Sequence, residues 1–326
     1  MRIYLLIYLV FSSVLNSFSS GNRNLKMPDY AEKINQIVFR LSCDANDRQA
    51  AKKLLKTYSS ALIDYQKEIG RLQVEPDSFK WSKTYDLMDE FNQLSNEILY
   101  NSAASRVICE PKFYHDELPE AKQKAVQELY DAGIYSLKIG TKRKAKEAYF
   151  CFVKAYQLSP AFNDVSQKIQ EAKNGATVNV VVEKVAAYAD RKNLFATRFY
   201  QTLINKLQSE FLNDQFVNIY SFTDAKQRKI DPAACYVRIS FIDFEMGELS
   251  TFDNTKSINV NGVAEIRIFL PTENKDILST RIPRQYVWKS YQNTGSFDLQ
   301  SIFDSFSMSM TDEVDDLLSG FIKQCN

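Results

Sequence analysis

The residues best suited to catalysis are four carboxylates that lie close together near the end of a predicted strand. They are Asp243, Glu245, Glu248 and Asp253. A pair of carboxylates hydrolyses a glycosidic bond when one acts as general acid and the other as base or nucleophile. The same oxygens also bind hard cations. The alternative is that these carboxylates lie at a solvated hairpin end, which such a cluster indicates more often.

A second segment, residues 281–291, joins arginine to aromatic side chains. These residue types dominate the binding hot spots of protein interfaces, and they also stack on nucleic-acid bases or sugar rings. The candidate partner-binding residues are Arg284, Tyr286, Trp288 and Tyr291. The alternative, which the pattern favours, is a strand whose aromatic side chains pack under the last helix.

Most familiar active sites are excluded by what the sequence lacks. The nine glycines are widely spaced, and even the closest pair, Gly133 and Gly140, is too far apart for a phosphate-binding loop or a nucleophile elbow. The single histidine, His115, and the absence of any C-x-x-C pair exclude the usual zinc sites. We therefore expect no cofactor, no metal, no catalytic residue and no enzymatic activity.

Five cysteines are scattered along the chain. Cys43–Cys109 and Cys235–Cys325 are conceivable disulfides if the compartment is oxidising, and Cys151 is predicted to be a buried thiol in a helix. The odd number leaves at least one cysteine unpaired within a monomer. The alternative is that all five are packing residues.

The first twenty residues have the layout of a secretory signal peptide. Arg2 precedes an unbroken apolar run, Ile3–Phe11, and Ser17 and Ser19 suit a cleavage site. This run and all later ones are too short to span a bilayer. The 41 basic and 40 acidic residues create no global field that would attract nucleic acid. We expect an exported protein, periplasmic or peripherally attached to the outer membrane or cell surface, whose partners are other envelope proteins.

Helices and strands must position these residues. Apolar residues at helical spacing predict helices over 28–42, 46–71 and 79–104. Residues 117–172 predict a tetratricopeptide-like unit, because Ala148, Phe152, Ala155 and Pro160 fall where the second helix of such a repeat places small residues and a closing proline. An ordinary helical bundle is the alternative.

Near residue 175 the apolar period changes from that of a helix to that of a strand. Strands are predicted over 177–182, 216–220, 235–241, 258–270 and 277–288, with helices over 195–213 and 298–323. Pro283 predicts an edge strand or a bulge. The sequence thus predicts an α+β protein with a signal peptide (1–20), a helical domain (28–174) and a mixed-sheet α/β domain (175–326) closed by a covering C-terminal helix.

Several stretches carry a family resemblance. Residues 148–155 (AYFCFVKA), 160–165 (PAFNDV) and 176–180 (ATVNV), with 241–247 and 281–288, resemble uncharacterised, often lipid-anchored envelope proteins of Bacteroidota. In those proteins a tetratricopeptide-like segment precedes an α/β domain. The element order is also similar to that of periplasmic lipoproteins that activate penicillin-binding proteins or assemble export channels. This chain departs from the group because no lipobox cysteine follows its leader, and because the region 246–262 is short.

Three functions therefore remain open from the sequence. The first is a non-catalytic envelope adaptor or assembly protein that binds other envelope proteins. The second is a cell-wall glycan-acting enzyme that uses the carboxylate cluster. The third is a glycan- or nucleic-acid-binding module that uses the aromatic segment.

Overall fold

The computed structural model describes residues 28–183, 190–230, 233–252, 255–290 and 299–325. The predicted signal peptide lies outside these ranges. The chain divides into two compact units. The first contains the described residues up to 131 together with residues 157–162, and the second contains residues 132–156 and those from 163 onward.

Helices build the core of the first unit. They are α1 (Tyr30–Cys43), α2 (Arg48–Val74), α3 (Lys80–Tyr100) and α4 (Ala104–Val107). Helices α1 and α2 each begin after an aspartate, Asp29 or Asp47, whose carboxylate accepts a hydrogen bond from a backbone N–H of the first turn. Their apolar faces meet in one core, where the Phe91 ring centroid lies 5.7 Å from that of Tyr58 and 5.3 Å from that of Tyr65.

A carboxylate from a later helix, α5, caps the N-terminus of α3. Helix α5 (Leu118–Ile139) carries Glu128, whose Oε2 accepts hydrogen bonds from the backbone N–H groups of Trp81 (3.1 Å) and Ser82 (3.0 Å). Phe79 precedes α3 and offers no side-chain cap, so Glu128 satisfies these first-turn donors instead. Burial raises the pKa of Glu128, although both N–H groups act to lower it.

The following helices are α6 (Lys142–Leu158) and α7 (Val165–Ala176). Gly140 has a φ of +75° in the turn before α6, a conformation that glycine adopts without a Cβ penalty. A Cβ on Gly133 of α5 would lie only 2.5 Å from the Phe152 ring of α6. Helices α5 and α6 therefore pack closely at Gly133.

Within the described residues, the second unit contains one six-stranded mixed sheet. Its strands are β1 (Val178–Val182), β2 (Val217–Ser221), β3 (Cys235–Met246), β4 (Ser250–Phe252), β5 (Thr255–Leu270) and β6 (Lys275–Ser290). Strand β1 is parallel to both β2 and β3, whereas β5 is antiparallel to β3, β4 and β6. Residues 260–269 of β5 pair with β3 on one edge and with β6 on the other, so β5 lies between them.

Two helices, α8 (Asp190–Glu210) and α10 (Leu299–Cys325), cover one face of this sheet. Phe199 of α8 and Phe306 of α10 are fully buried there against the strand residues that point the same way, such as Ile266. A shorter helix, α9 (Phe222–Arg228), lies on the opposite face. Its Ala225 packs with Val181 of β1.

Polar contacts hold α10 against α8. Lys206 Nζ lies 2.8 Å from the carboxylate of Asp312 and 3.2 Å from that of Asp315, while Glu210 accepts hydrogen bonds from Ser319 (2.5 Å) and Lys323 (2.7 Å). Burial raises the pKa of Asp315, whereas Lys323 and Ser319 lower the pKa of Glu210. These contacts fix the rotation of α10, so that its apolar stripe faces the sheet.

The predicted α+β class is confirmed, and the change of period near residue 175 matches the end of α7 at Ala176 and the start of β1 at Val178. Pro283 lies in an edge strand, because β6 pairs only with β5 among the described residues. The structure also differs from the prediction: β3 runs on to Met246, and the short elements α4 and β4 were not predicted. None of the helices in the described ranges combines the length and hydropathy of a membrane span.

Gly262 of β5 offers a test of this packing. Its missing side chain leaves room for Phe306, since a Cβ there would lie 2.9 Å from the ring. Gly262→Ala should lower the free energy of unfolding by about 1–3 kcal/mol through overpacking. Guanidinium unfolding followed by Trp288 fluorescence in a Trp81→Phe background reports on the α/β unit alone, because the chain has 2 tryptophans.

The matched control is Gly320→Ala on α10. Nothing lies within 4 Å of a Cβ at this position, so alanine should stabilise the helix by about 0.5–1 kcal/mol. A Gly262→Ala variant as stable as the unsubstituted protein would contradict the packing of α10 on β5.

Candidate protein-docking face

The side of β3, β5 and β6 that points away from α8 and α10 is called the open face here. Side chains alternate along a strand, so the open face carries the residues between the core positions. They include Arg238, Ser240, Asp243 and Glu245 of β3, Ser257, Asn259, Asn261, Val263, Glu265 and Arg267 of β5, and Asp276, Arg281, Pro283, Gln285, Val287 and Lys289 of β6. All of these side chains are exposed or half-buried.

One end of the open face carries three arginines. Arg238 and Arg267 are direct cross-strand partners, and Arg281 lies opposite Glu265 in the next row. The Glu265 carboxylate lies 2.6 Å from Arg267 and 3.5 Å from Arg281, and Glu183 lies 2.6 Å from Arg238. With Asp276, which lies opposite Phe269 on the same face, three carboxylates offset the three arginines.

The other end of the open face carries two carboxylates, with Lys289 on the same face opposite Ser257. A β-bulge at Ile242 shifts the register of β3, so that Asp243 lies opposite Val263 and Glu245 opposite Asn261. Within the part of the chain that the structure describes, neither carboxylate makes an ion pair or a side-chain hydrogen bond. The open face therefore carries arginines paired with carboxylates at one end and these two exposed carboxylates toward the other.

Apolar side chains add to the carboxylate end. Ile242 is 46% exposed, Val287 is 45% exposed, and Phe252 of the neighbouring strand β4 is 83% exposed. The amide side chains of Asn261 and Gln285 lie among them in cross-strand pairs. A surface of apolar and amide side chains can be buried against another protein without leaving a charge unpaired.

The segment predicted to bind partners faces the other way. Tyr286 and Trp288 are half-buried and pack against the core under α10, where the Tyr286 and Phe306 ring centroids are 6.5 Å apart. Arg284 reaches α10 itself, donating from Nε to Ser309 Oγ at 2.9 Å and pairing with Glu313. Tyr291 lies outside the described residues. This arrangement is the packing alternative that the sequence pattern favoured.

The described members of the carboxylate cluster lie on exposed parts of the chain. Asp243 and Glu245 lie in β3, Glu248 lies in the turn that follows, and all three are exposed; Asp253 lies outside the described ranges. A general acid needs an environment that raises its pKa, usually burial, and these three side chains lack burial. Among the described residues, no three His, Cys, Asp or Glu side chains are grouped so as to hold a metal ion.

His115 stacks on Phe113, with ring centroids 4.6 Å apart and planes 8° from parallel. Cys109 is exposed, and its Sγ donates a weak hydrogen bond to the carbonyl of Arg106 at 3.7 Å. None of the described contacts joins the histidine to this thiol. A nucleophile–base pair is therefore not assembled from these two residues.

The other cysteines divide between surface and interior. Cys43 is an exposed thiol and is not bridged to Cys109. Cys151 is half-buried, and desolvation raises the pKa of its thiol to about 11. Cys235 is buried in the sheet core, whereas the side chain of Cys325 lies outside the described part of the chain.

The first unit has a shallow groove of about 220 Å³. It is lined by Pro119, Lys122, Gln123, Val126, Ser159 and Phe162. Small-molecule sites usually enclose about 300–1,000 Å³ and bury most of their ligand. This groove is smaller than that range.

No protein-family model and no curated protein matches the chain. Similar solved structures include a neuraminyllactose-binding hemagglutinin homologue from Helicobacter pylori (14% identity, covering 43% of this chain and 82% of that one, TM-score 0.30). A hypothetical protein from Chlamydia trachomatis (12%, 45% and 99%, TM-score 0.28) and a lipoprotein from Neisseria meningitidis (8%, 43% and 99%, TM-score 0.21) are also similar. Similarities this low support no assignment to a family.

The pairing of charges on the open face is not visible in the sequence. Alternation of apolar residues along 235–241 indicates only that Arg238 and Ser240 oppose the core residues. It could not show that Arg238 meets Arg267 or that Glu265 bridges two arginines, because these pairs depend on the register between strands. The bulge at Ile242, which puts Asp243 and Glu245 on the same face as Arg238, has no sequence signal.

Two substitutions on β6 test whether each side chain points to the core or to the open face. Trp288→Ala should lower the free energy of unfolding by about 3 kcal/mol, because it removes a large side chain packed on the core. Val287→Ala, one residue away on the open face, should cost under about 0.5 kcal/mol. Urea unfolding followed by circular dichroism measures both. Equal stability of Trp288→Ala and the unsubstituted protein would show that the inward packing is wrong.

Proposed function

We propose that the protein is a non-catalytic, exported interaction protein of the bacterial cell envelope, which docks another protein on the open face. One observation carries this proposal. The long antiparallel surface of β3, β5 and β6 carries exposed charges and exposed apolar side chains such as Val287, and Phe252 of the neighbouring strand β4 is exposed as well. Surfaces that combine these features mark interaction sites more often than catalytic ones.

Export is supported by the sequence rather than by the fold. The apolar run Ile3–Phe11 followed by Ser17 and Ser19 is typical of a cleaved leader. The near balance of 41 basic and 40 acidic residues argues against a nucleic-acid partner. Envelope proteins are therefore the class of partner that we propose.

A docking role also accounts for the exposed carboxylates better than hydrolysis does. Asp243 and Glu245 lie two residues apart on one strand, with their side chains in solvent. A glycosidase needs two carboxylates that face each other across a bound sugar, one of them kept protonated by burial. Exposed, unpaired carboxylates are instead ready to meet cations on a protein partner.

The first unit supplies a second contact in this proposal. The groove is lined by the apolar side chains of Pro119, Val126 and Phe162 together with polar ones. It suits a short peptide segment anchored by one apolar residue. A protein with two binding surfaces would act as an adaptor between partners in the envelope.

Photocrosslinking in intact cells tests the docking face. A photoreactive amino acid at Gln285 lies on the open face, whereas one at Met308, which is 62% exposed, lies on the outer side of α10 in the same unit. We expect a discrete crosslinked species from position 285 that mass spectrometry identifies as an envelope protein. Position 308 should give little. Equal yields from the two positions, or only cytoplasmic proteins at 285, would contradict the proposal.

A further inference from the structure

We propose that the turn between α5 and α6 lies on the surface of an anionic bilayer, with its basic side chains among the lipid phosphates. This surface, residues 135–144, is called the hairpin tip here. The inference goes beyond protein docking on the open face and does not depend on it. It is motivated by a concentration of positive charge beside exposed apolar side chains.

Positive charge is concentrated in one stretch of the chain. Residues 132–176, which form the end of α5 and all of α6 and α7, contain eight basic residues and three acidic ones. Acidic residues outnumber basic ones on both sides of it, with 18 against 14 over residues 28–131 and 19 against 16 over residues 177–326. Positive charge confined to one part of a near-neutral protein steers that part toward an anionic surface.

The cations of this stretch meet at the hairpin tip. Lys138 lies in the last turn of α5, and the first turn of α6 carries Lys142, Arg143 and Lys144. The sequence has no acidic residue from 132 to 146. Cations in a first turn oppose the helix dipole, which favours acidic residues there. These three side chains therefore do not serve the stability of α6.

Some of this charge is used within the chain. The Glu147 carboxylate lies 2.5 Å from Lys144 Nζ and 3.8 Å from Arg143 Nε, and Lys142 Nζ donates to the backbone carbonyl that precedes β1 at 2.6 Å. The Arg143 side chain is nevertheless 82% exposed. Lys138 is exposed too, and none of the described carboxylates pairs with it. The hairpin tip therefore keeps an excess of positive charge after Glu147 is counted.

Exposed apolar side chains lie beside these cations. Tyr135 is 69% exposed and Ile139 is 43% exposed. Lys138 and Ile139 follow Tyr135 by three and four residues, so the three side chains share one side of α5. Tyrosine is enriched at the headgroup level of membranes, where lysine and arginine also place their apolar stems. The hairpin tip thus combines the residue types that lie at a lipid surface.

The shape of the hairpin tip also favours a bilayer over a protein partner. A short turn between two packed helices is convex, and the groove described above contains none of the tip residues. Attraction of basic side chains to anionic lipids needs no fitted contacts, and each adds about fivefold to the affinity. Lys138 and Arg143 together should therefore contribute about 25-fold, which is a weak and reversible attachment.

Vesicle flotation of the purified protein tests this attachment. We expect at least about tenfold stronger partition onto vesicles that contain phosphatidylglycerol than onto pure phosphatidylcholine vesicles. The double variant Lys138→Glu/Arg143→Glu should lose at least about tenfold of this partition. Raising the salt from about 0.1 M to about 1 M should release the protein, because the Debye length falls from about 10 Å to about 3 Å.

The matched control is Lys52→Glu/Lys56→Glu on α2. Both lysines are exposed, belong to another run of basic residues and give the same change in net charge. The control should change partition by less than about twofold, because the distance from the bilayer screens these charges. Should circular dichroism show that the glutamate variant of the hairpin tip is misfolded, Lys138→Gln/Arg143→Gln decides instead.

The outcomes separate the bilayer from other anionic partners. Loss of partition in the hairpin-tip variant alone supports the proposal. Equal partition onto the two kinds of vesicle, or equal loss in the variant and its control, overturns it. Binding to soluble polyglutamate that requires Lys138 and Arg143, without binding to vesicles, also overturns it and assigns the tip to an acidic protein. Crosslinking from position 285 tests the docking function separately, since it does not involve the tip.

Discussion

Burial of the apolar stripe of α10 against one side of the sheet is the interaction on which the rest of the α/β unit depends. Strand side chains alternate between two faces. Once Phe306 lies over Gly262 and Met310 and Val314 are buried on the same side, every neighbouring position on β5 is committed to the opposite face. The ion pairs between α8 and α10 hold α10 in this orientation. The open face is thus what remains after the core has been assigned.

The packing of α10 explains why the aromatic side chains of residues 281–291, which stand out in the sequence, are not the exposed ones. Trp288 and Tyr286 are large apolar groups, and packing them under α10 stabilises the unit far more than exposure would. Arg284 is then drawn inward by Ser309 and Glu313. The smaller and more polar residues between them, Gln285 and Val287, are left outside.

Much of the fold follows from periodicity alone. Helices α1, α2, α3 and α10 and strands β1, β2, β5 and β6 were predicted within a few residues of their ends, because each carries a regular apolar stripe. The short elements α4 and β4 carry no stripe long enough to detect. The bulge at Ile242 was unpredictable for a related reason, since it depends on pairing with β5. The candidate face could not be predicted because it is a property of register across three strands, whereas the residues on it are ordinary surface types taken singly.

The central claim is that β6 presents its odd-numbered residues to solvent and its even-numbered residues to α10. Cysteines introduced one at a time at positions 283, 284, 285, 286 and 287 can be labelled with a maleimide under native conditions. The background carries serine at Cys43, Cys109, Cys151 and Cys325, so that buried Cys235 is the one native thiol left. The account predicts rates that alternate with a period of two, fast at 283, 285 and 287 and slow at 284 and 286. Equally fast labelling at 286 and 285 would contradict it.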